Sequence, residues 1–357
     1  MSSSIREVAL KAGVSIATVS RVLNNTGPVA EETRGRILEA IDKLRYVPHG
    51  AARSLITRQT ETAGVLLPDL YGEFFSEVIR GVDLAARRSG FHVLVSGFHS
   101  DRAEIEAVLR AMRGRVDGLI VLSPDVDAQT LQRNLPETLP VVLLNTPLHK
   151  PVAGAAFDAI NVDNRGGAFA MVRHLAGLGH RRIAFLQGPA ENADAQERLR
   201  GYRDALRSLG AEASPVLELK GDFSEESGYR AGRRLLALAP RPTAVFAAND
   251  SMAIGCLFAL REAGVRVPGE VALAGFDDIP IARYITPSLS SVHVPIAEMG
   301  TRAMERLLHA VASKNEHERR QETVATTLVV RGSCGGTLNS PGLDPLKRQE
   351  PGEGGER

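Results

Sequence analysis

The chain has 357 residues, 24% of them charged, a formal net charge of +1, and two cysteines. That length exceeds a single core, and the cysteines, Cys256 and Cys334, form neither a CxxC nor part of a histidine cluster, which argues against a disulfide framework, a metal site or a cofactor. No stretch approaches the roughly 20 apolar residues of a membrane span, and residues 1–30 carry charges and helix breakers where a signal peptide needs an apolar run, so the reading is a cytoplasmic chain without a membrane partner.

The first helix is announced by Ser4-Ile5-Arg6-Glu7, whose spacing lets the Ser hydroxyl and the Glu carboxylate satisfy each other's orphaned backbone donors. Ile5, Val8, Ala9 and Ala12 recur at helical spacing, and Gly13 can adopt the left-handed conformation that ends a helix. After a turn at Gly13-Val14-Ser15, Ser15 is placed to cap a second helix in which Val19, Val22 and Leu23 face the first while Ile16, Ala17, Ser20 and Arg21 point away. Small apolar groups and an Arg exposed at the start of a helix suit the major groove, where they meet thymine methyls and guanine edges. The bare pattern also fits an ordinary helical hairpin. A third helix is expected from about Glu31 to Leu44, with Ile37, Leu38, Ala40, Ile41 and Leu44 over the first two. Through residue 60 the charge balance is +4, leaving −3 for the remainder, so attraction for phosphate lies at the N-terminus.

A hinge is expected next, over Tyr46-Val47-Pro48-His49-Gly50-Ala51-Ala52-Arg53-Ser54-Leu55. Pro48 bars its predecessor from helical geometry. Ala51 to Leu55 spans only about one and a half turns, far below the roughly 12 residues at which an isolated helix becomes tenable, so it should fold only against a partner. Inserting Leu55 between base pairs in the minor groove would bury it and kink the duplex. The alternative is a flexible linker whose Leu packs on the next domain.

Beyond residue 60, short apolar runs alternate with helical stretches. Runs at 64–67, 92–95, 118–122, 141–144, 183–186, 244–247 and 271–276 read as strands, and helices are expected near 74–90, 101–114, 164–179, 194–210, 224–239, 250–264 and 295–314. Continuous apolar strands alternating with helices indicate parallel sheets covered on both faces, here in two doubly wound copies. Ligands of such folds sit beyond the carboxyl ends of the strands. Those ends carry Asp69, with Phe74 and Phe75 close behind, Asn145, Asn249-Asp250 and Asp277-Asp278, while Arg198 supplies a cation. Carboxylates, amides, an Arg and aromatic faces match a polyhydroxylated ligand, whose hydroxyls need paired donors and acceptors and whose C–H face packs on a π surface. Asp250 alone reads better as a cap for the helix that follows. The helix near 295–314 reads as subdomain surface.

Taken together, Ile5-Arg6-Glu7-Val8-Ala9, Ala12-Gly13-Val14-Ser15, Ala17-Thr18-Val19-Ser20-Arg21-Val22-Leu23-Asn24, Glu32-Thr33-Arg34, Tyr46-Val47-Pro48 and Ala52-Arg53-Ser54-Leu55 resemble the LacI/GalR family of bacterial transcriptional repressors. The likeness runs through Arg331-Gly332-Ser333. It implies a helix-turn-helix domain at 1–47, a hinge at 48–60, and an effector and dimerisation domain of periplasmic-binding-protein type at 61–333, ahead of a tail at 334–357. It implies a repressor that binds a pseudo-palindromic double-stranded operator as a homodimer under control of a small effector. The DNA-contacting set would be Ser15, Ile16, Ala17, Thr18, Ser20, Arg21 and Asn24, with Ala52, Arg53 and Leu55 from the hinge. The effector cleft would be lined by Arg198, Asn249 and Asp277, with Phe74 or Phe75 along one wall and Phe223 along another, and the strand-end reading adds Asp69 and Asn145 to that set. Ile16-Ala17 with Arg21 is similar to sugar-responsive members, which favours a sugar, whereas Gly221-Asp222-Phe223 and Ala282-Arg283-Tyr284 also resemble purine-responsive ones. A solute-binding protein without a transcriptional role shares the two-lobed body, and an enzyme is disfavoured because no catalytic spacing is present. Three positions depart from the family pattern: Ala30 replaces a capping Ser, His49 a hinge Asn, and Ile56 a basic residue. The tail, rich in Gly, Pro and charge, reads as disordered and lacks leucine heptads, which favours a dimer over a tetramer.

Overall fold

The computed structural model describes residues 4–24, 26–46, 59–98, 102–122, 128–146, 157–210, 214–313 and 317–336. The chain divides into two compact units, Met1–Glu61 and Thr62–Arg357. The first contains α1 (Ile5–Ala12), α2 (Ile16–Asn24) and α3 (Glu31–Leu44). The capping box forms, with Ser4 N donating to Glu7 Oε2 at 2.7 Å and Glu7 N to Ser4 Oγ at 3.4 Å. Gly13 ends α1 at φ 65°, and Ser15 Oγ accepts from Thr18 N at 3.1 Å to start α2. Val8, Val19 and Ile37, each without solvent exposure, centre the core.

Two expectations change in this unit. Leu38 is 51% exposed, because it lies about 100° round the helix from buried Ile37. Tyr46, assigned above to the hinge, belongs to the helical core: Arg45 takes φ 44° and Tyr46 N bonds back to Ile41 O at 2.9 Å. The hinge residues proper, Ala52, Arg53 and Leu55 among them, lie outside the described residues.

The second unit holds two six-stranded sheets. The first is built from β1 (Thr62–Leu67), β2 (His92–Gly97), β3 (Gly118–Leu122), β4 (Val141–Leu144), β5 (Asp158–Val162) and β11 (Gln321–Val324), in the order β11-β5-β4-β3-β1-β2, all parallel. The second is built from β6 (Ile183–Gln187), β7 (Glu218–Lys220), β8 (Ala244–Ala247), β9 (Ala272–Asp277), β10 (Ser290–His293) and β12 (Thr327–Val329), in the order β12-β10-β9-β8-β6-β7. Only β12 runs antiparallel, pairing Val292 with Leu328. Between the strands come α4 (Glu73–Arg88), α5 (Arg102–Met112), α6 (Ala128–Asn134), α7 (Asn164–Gly177), α8 (Ala193–Ser208), α9 (Glu225–Leu236), α10 (Asp250–Glu262) and α11 (Ile296–Ser313).

The lobes interleave rather than follow one another. The chain leaves the first sheet after β5 to form α7 on the second, returns after β10 to form α11 on the first, and crosses again between β11 and β12. The expectation that 295–314 is surface is therefore corrected: Met299, Ala303, Met304 and Leu307 of α11 are buried against the first sheet and α4. Contact with α4 is close enough to require glycine on both sides. A Cβ at Gly81 would sit 1.9 Å from Ala297 O, and one at Gly300 would sit 2.3 Å from Val78 O.

Candidate DNA-reading surface and ligand cleft

On the helical unit, α2 presents Ile16, 44% exposed, beside exposed Ala17 and Arg21, while Ser15 and Thr18 are joined through their hydroxyls at 2.9 Å to fix its first turn. Ser20 is half-buried, and Asn24 forms the last residue of α2.

Within the body, a cleft of about 700 Å³ opens where strand C-termini meet helix N-termini. All eight residues selected from sequence line it. Asp69, Phe74, Phe75 and Asn145 come from the first lobe, and Arg198, Phe223, Asn249 and Asp277 from the second. Phe74 and Phe75 meet edge to face, with ring centroids 5.6 Å apart. The Asp69 carboxylate folds back to accept from Tyr71 N at 3.0 Å.

Arg198 is the centre of the polar network. The residue is 3% exposed, and its side chain donates from Nε to Asn164 Oδ1 at 2.8 Å, pairs with Asp277 Oδ1 at 3.0 Å, and stacks its guanidinium 3.8 Å from the Phe276 ring centre. Burial pushes the Asp277 carboxyl up to about 6, with Arg198 opposing. Asp194 precedes Arg198 by one helical turn, accepts from Asn164 Nδ2 at 2.8 Å, and is likewise pushed up to about 6 by burial, with Arg198 again opposing. Sequence reasoning missed Asp194, although its i,i+4 spacing from Arg198 put both on one helix face.

The loops that deliver these groups are conformationally forced. Asn145, Phe223 and Asp277 have φ of 48°, 72° and 103°. Such backbone costs of order 1–3 kcal/mol per residue and persists where packing over-determines it, characteristically at ligand clamps.

The cap expected at Asp250 falls instead to Asn249, which lines the cleft as well. Asn249 is the helix cap, its Oδ1 accepting from Met252 N at 3.0 Å while its Nδ2 donates to Phe223 O at 3.0 Å. Asp250, fully buried, is a brace that accepts from Ser291 Oγ at 2.6 Å and from Ile279 N at 2.9 Å, and burial followed by repulsion from Asp277 raises its carboxyl well above the usual range. The strand end thus needs both residues, and Asn caps more directly because its carbonyl reaches the third amide. Asp278 turns away from the cleft: despite burial, hydrogen bonds from His293 and Arg331 hold its carboxyl low. Across the cleft mouth Ile281 N donates to Glu73 Oε2 at 2.9 Å. Among the described residues, no group of three or more His, Cys, Asp or Glu could hold a metal ion, and no helix is long and apolar enough to cross a membrane.

Comparison with known proteins matches residues 4–49 to the description "Bacterial regulatory proteins, lacI family" and residues 172–334 to "Periplasmic binding protein-like domain". The chain is 35% identical to the HTH-type transcriptional repressor PurR of Photobacterium profundum, over 93% of this chain and 98% of that protein. It is 36% identical to the HTH-type transcriptional regulator GalR of Escherichia coli, over 96% and 97%. Among solved structures, the transcriptional regulator CelR–cellobiose complex is similar at 33% identity and TM-score 0.69, covering 93% of this chain and 99% of that one. The lac repressor dimer bound to operator and the anti-inducer ONPF is similar at 28% identity and TM-score 0.82, covering 94% and 99%.

Proposed function

The chain belongs to the LacI family of bacterial regulatory proteins, and from that membership we propose that it represses transcription from a pseudo-palindromic operator as a homodimer, with operator affinity set by a sugar held in the cleft. The observation that carries the reading is that eight strand-end and helix-start residues, drawn from both lobes, converge on one cavity. Cellobiose and an anti-inducer are bound in similar structures, and the operator is bound there by a dimer. A purine remains the second reading, favoured by the likeness to PurR.

In this proposal residues 1–47 read DNA, with Ile16, Ala17 and Arg21 on base edges and Ser15, Thr18, Ser20 and Asn24 beside them. Residues 48–60 form the hinge, and 61–333 bind effector and pair the protomers. Ala52, Arg53 and Leu55 fold on the operator, and Leu55 wedges the minor groove. Effector binding reorients the lobes, changes the separation of the two hinges, and so decides whether segments too short to be helical alone become ordered. The bound ligand is released unchanged, and the protein acts on chromosomal DNA in the cytoplasm.

Binding to operator and to random duplex, followed by fluorescence anisotropy, tests the assignment. Arg21→Ala should relax discrimination among operator variants by about 1–3 kcal/mol at one position. Leu55→Ala should weaken operator binding far more than random-duplex binding. Equal losses on both duplexes would remove the wedge.

A further inference from the structure

The cleft presents mainly acceptors. Asn145 is 95% withdrawn from solvent and its Oδ1 has no hydrogen-bond partner, and Asp277 Oδ1, equally buried, has only the ion pair with Arg198. Seven carboxylates line the cavity, Asp194, Asp277 and Glu191 among them. Among the described residues Arg198 is the single cation there, and it is already engaged by Asp277, by Asn164 and by the Ala248 carbonyl, which accepts from Nη1 at 2.5 Å. Its remaining N–H groups can meet a hydroxyl oxygen, yet its charge is answered before any ligand arrives.

We infer that this cleft selects an uncharged, hydroxyl-bearing ligand over the phosphorylated form of the same ligand, and that Asp194 enforces the selection. The inference rests on the effector reading above and deepens it. A ligand that satisfies Asn145 Oδ1 and the Asp194 carboxylate must bring donors. Each sugar hydroxyl brings one O–H together with acceptor capacity, whereas a phosphate dianion brings acceptors alone and repels the carboxylates. Asp194 is the sharpest discriminator because its only described hydrogen-bond partner is the neutral Asn164 amide, so no cation screens it by direct contact. Asp194 lines the cavity within reach of a ligand, and Arg198 opposes the burial that raises its carboxyl to about 6.

Isothermal calorimetry on the full chain with matched pairs tests this: glucose with glucose 6-phosphate, galactose with galactose 6-phosphate, ribose with ribose 5-phosphate, and adenosine with its monophosphate. In whichever pair binds, the uncharged member should bind more tightly by at least about ten-fold, and Asp194→Asn should narrow that gap by a similar factor. A phosphorylated member that binds as tightly as its partner to the unmodified chain would overturn the inference, as would an Asp194→Asn protein that folds and keeps the full gap. Binding of adenosine and of no sugar, with its monophosphate rejected, would overturn the sugar reading while supporting the charge selection.

Discussion

Half-buried Asp194 and buried Asp277 share one corner of the cleft with Arg198, and that shortage of positive charge has a measurable pH signature. Both carboxyls are raised to about 6 from an ordinary 3.8. Above that value the ionised Asp194 opposes folding, and the penalty is relieved as the pH falls from about 6 to about 4, where the folded state holds a proton that the unfolded chain has released. At 1.36 kcal/mol per pH unit, reduced because part of the residue faces the cleft, the effect is about 1–2 kcal/mol. Asp194→Asn should therefore raise the unfolding free energy at pH 7.5, and the advantage should vanish by pH 4 in denaturant titrations. A constant difference across that range would place Asp194 in an unperturbed setting. Removing the cation instead, as Arg198→Met, should cost about 3–5 kcal/mol, since it strands buried carboxylates. Much at this scale was legible: the strand-end rule located Asp69, Asn145, Asn249 and Asp277 without coordinates. Asp194 escaped because helix-start acids are ordinarily caps or solvated, and Asp250 was misjudged because sequence cannot show Ser291 and Ile279 N converging on it.

Helices and strands were legible where apolar periodicity was strong and obscure where buried polar groups replaced it. The buried strand β10 begins Ser290-Ser291, residues that suggest a loop, yet both are fully buried because their hydroxyls bond Arg331 O and Asp250 Oδ1. Strand β7 has three residues and alternates Glu, Leu and Lys at a sheet edge, too short to carry a period. Two glycines inside helices supply contrasting predictions. Gly81→Ala drives a Cβ into the Ala297 carbonyl and should destabilise the body by about 2–3 kcal/mol in thermal unfolding. Gly35→Ala, in the middle of α3 with open space around the new methyl, should stabilise the helical unit by about 0.5–1 kcal/mol. Ala30 gives α3 no side-chain cap, so Ala30→Ser should slow amide exchange in its first turn, by about 1 kcal/mol of local opening free energy.

At the scale of the whole molecule, interleaving is what the sequence concealed. Alternating strands and helices read as two successive copies, whereas β11 belongs to the first sheet and α11 covers it, so the lobes are joined by three crossings rather than one. The Glu73 to Ile281 bond links the two lobes across the cleft mouth. Glu73→Ala should weaken ligand binding about three- to ten-fold, mostly through faster dissociation, as the loss of one hydrogen bond of about 1 kcal/mol beside the ligand implies.

Whether occupancy of the cleft controls DNA affinity is read from operator binding by the full chain at increasing concentrations of its uncharged ligand. Saturating ligand should move the operator dissociation constant by about ten-fold or more, and Asp277→Ala should abolish the response while operator affinity without ligand is retained. An operator affinity that stays fixed while calorimetry shows the cleft filled would contradict it.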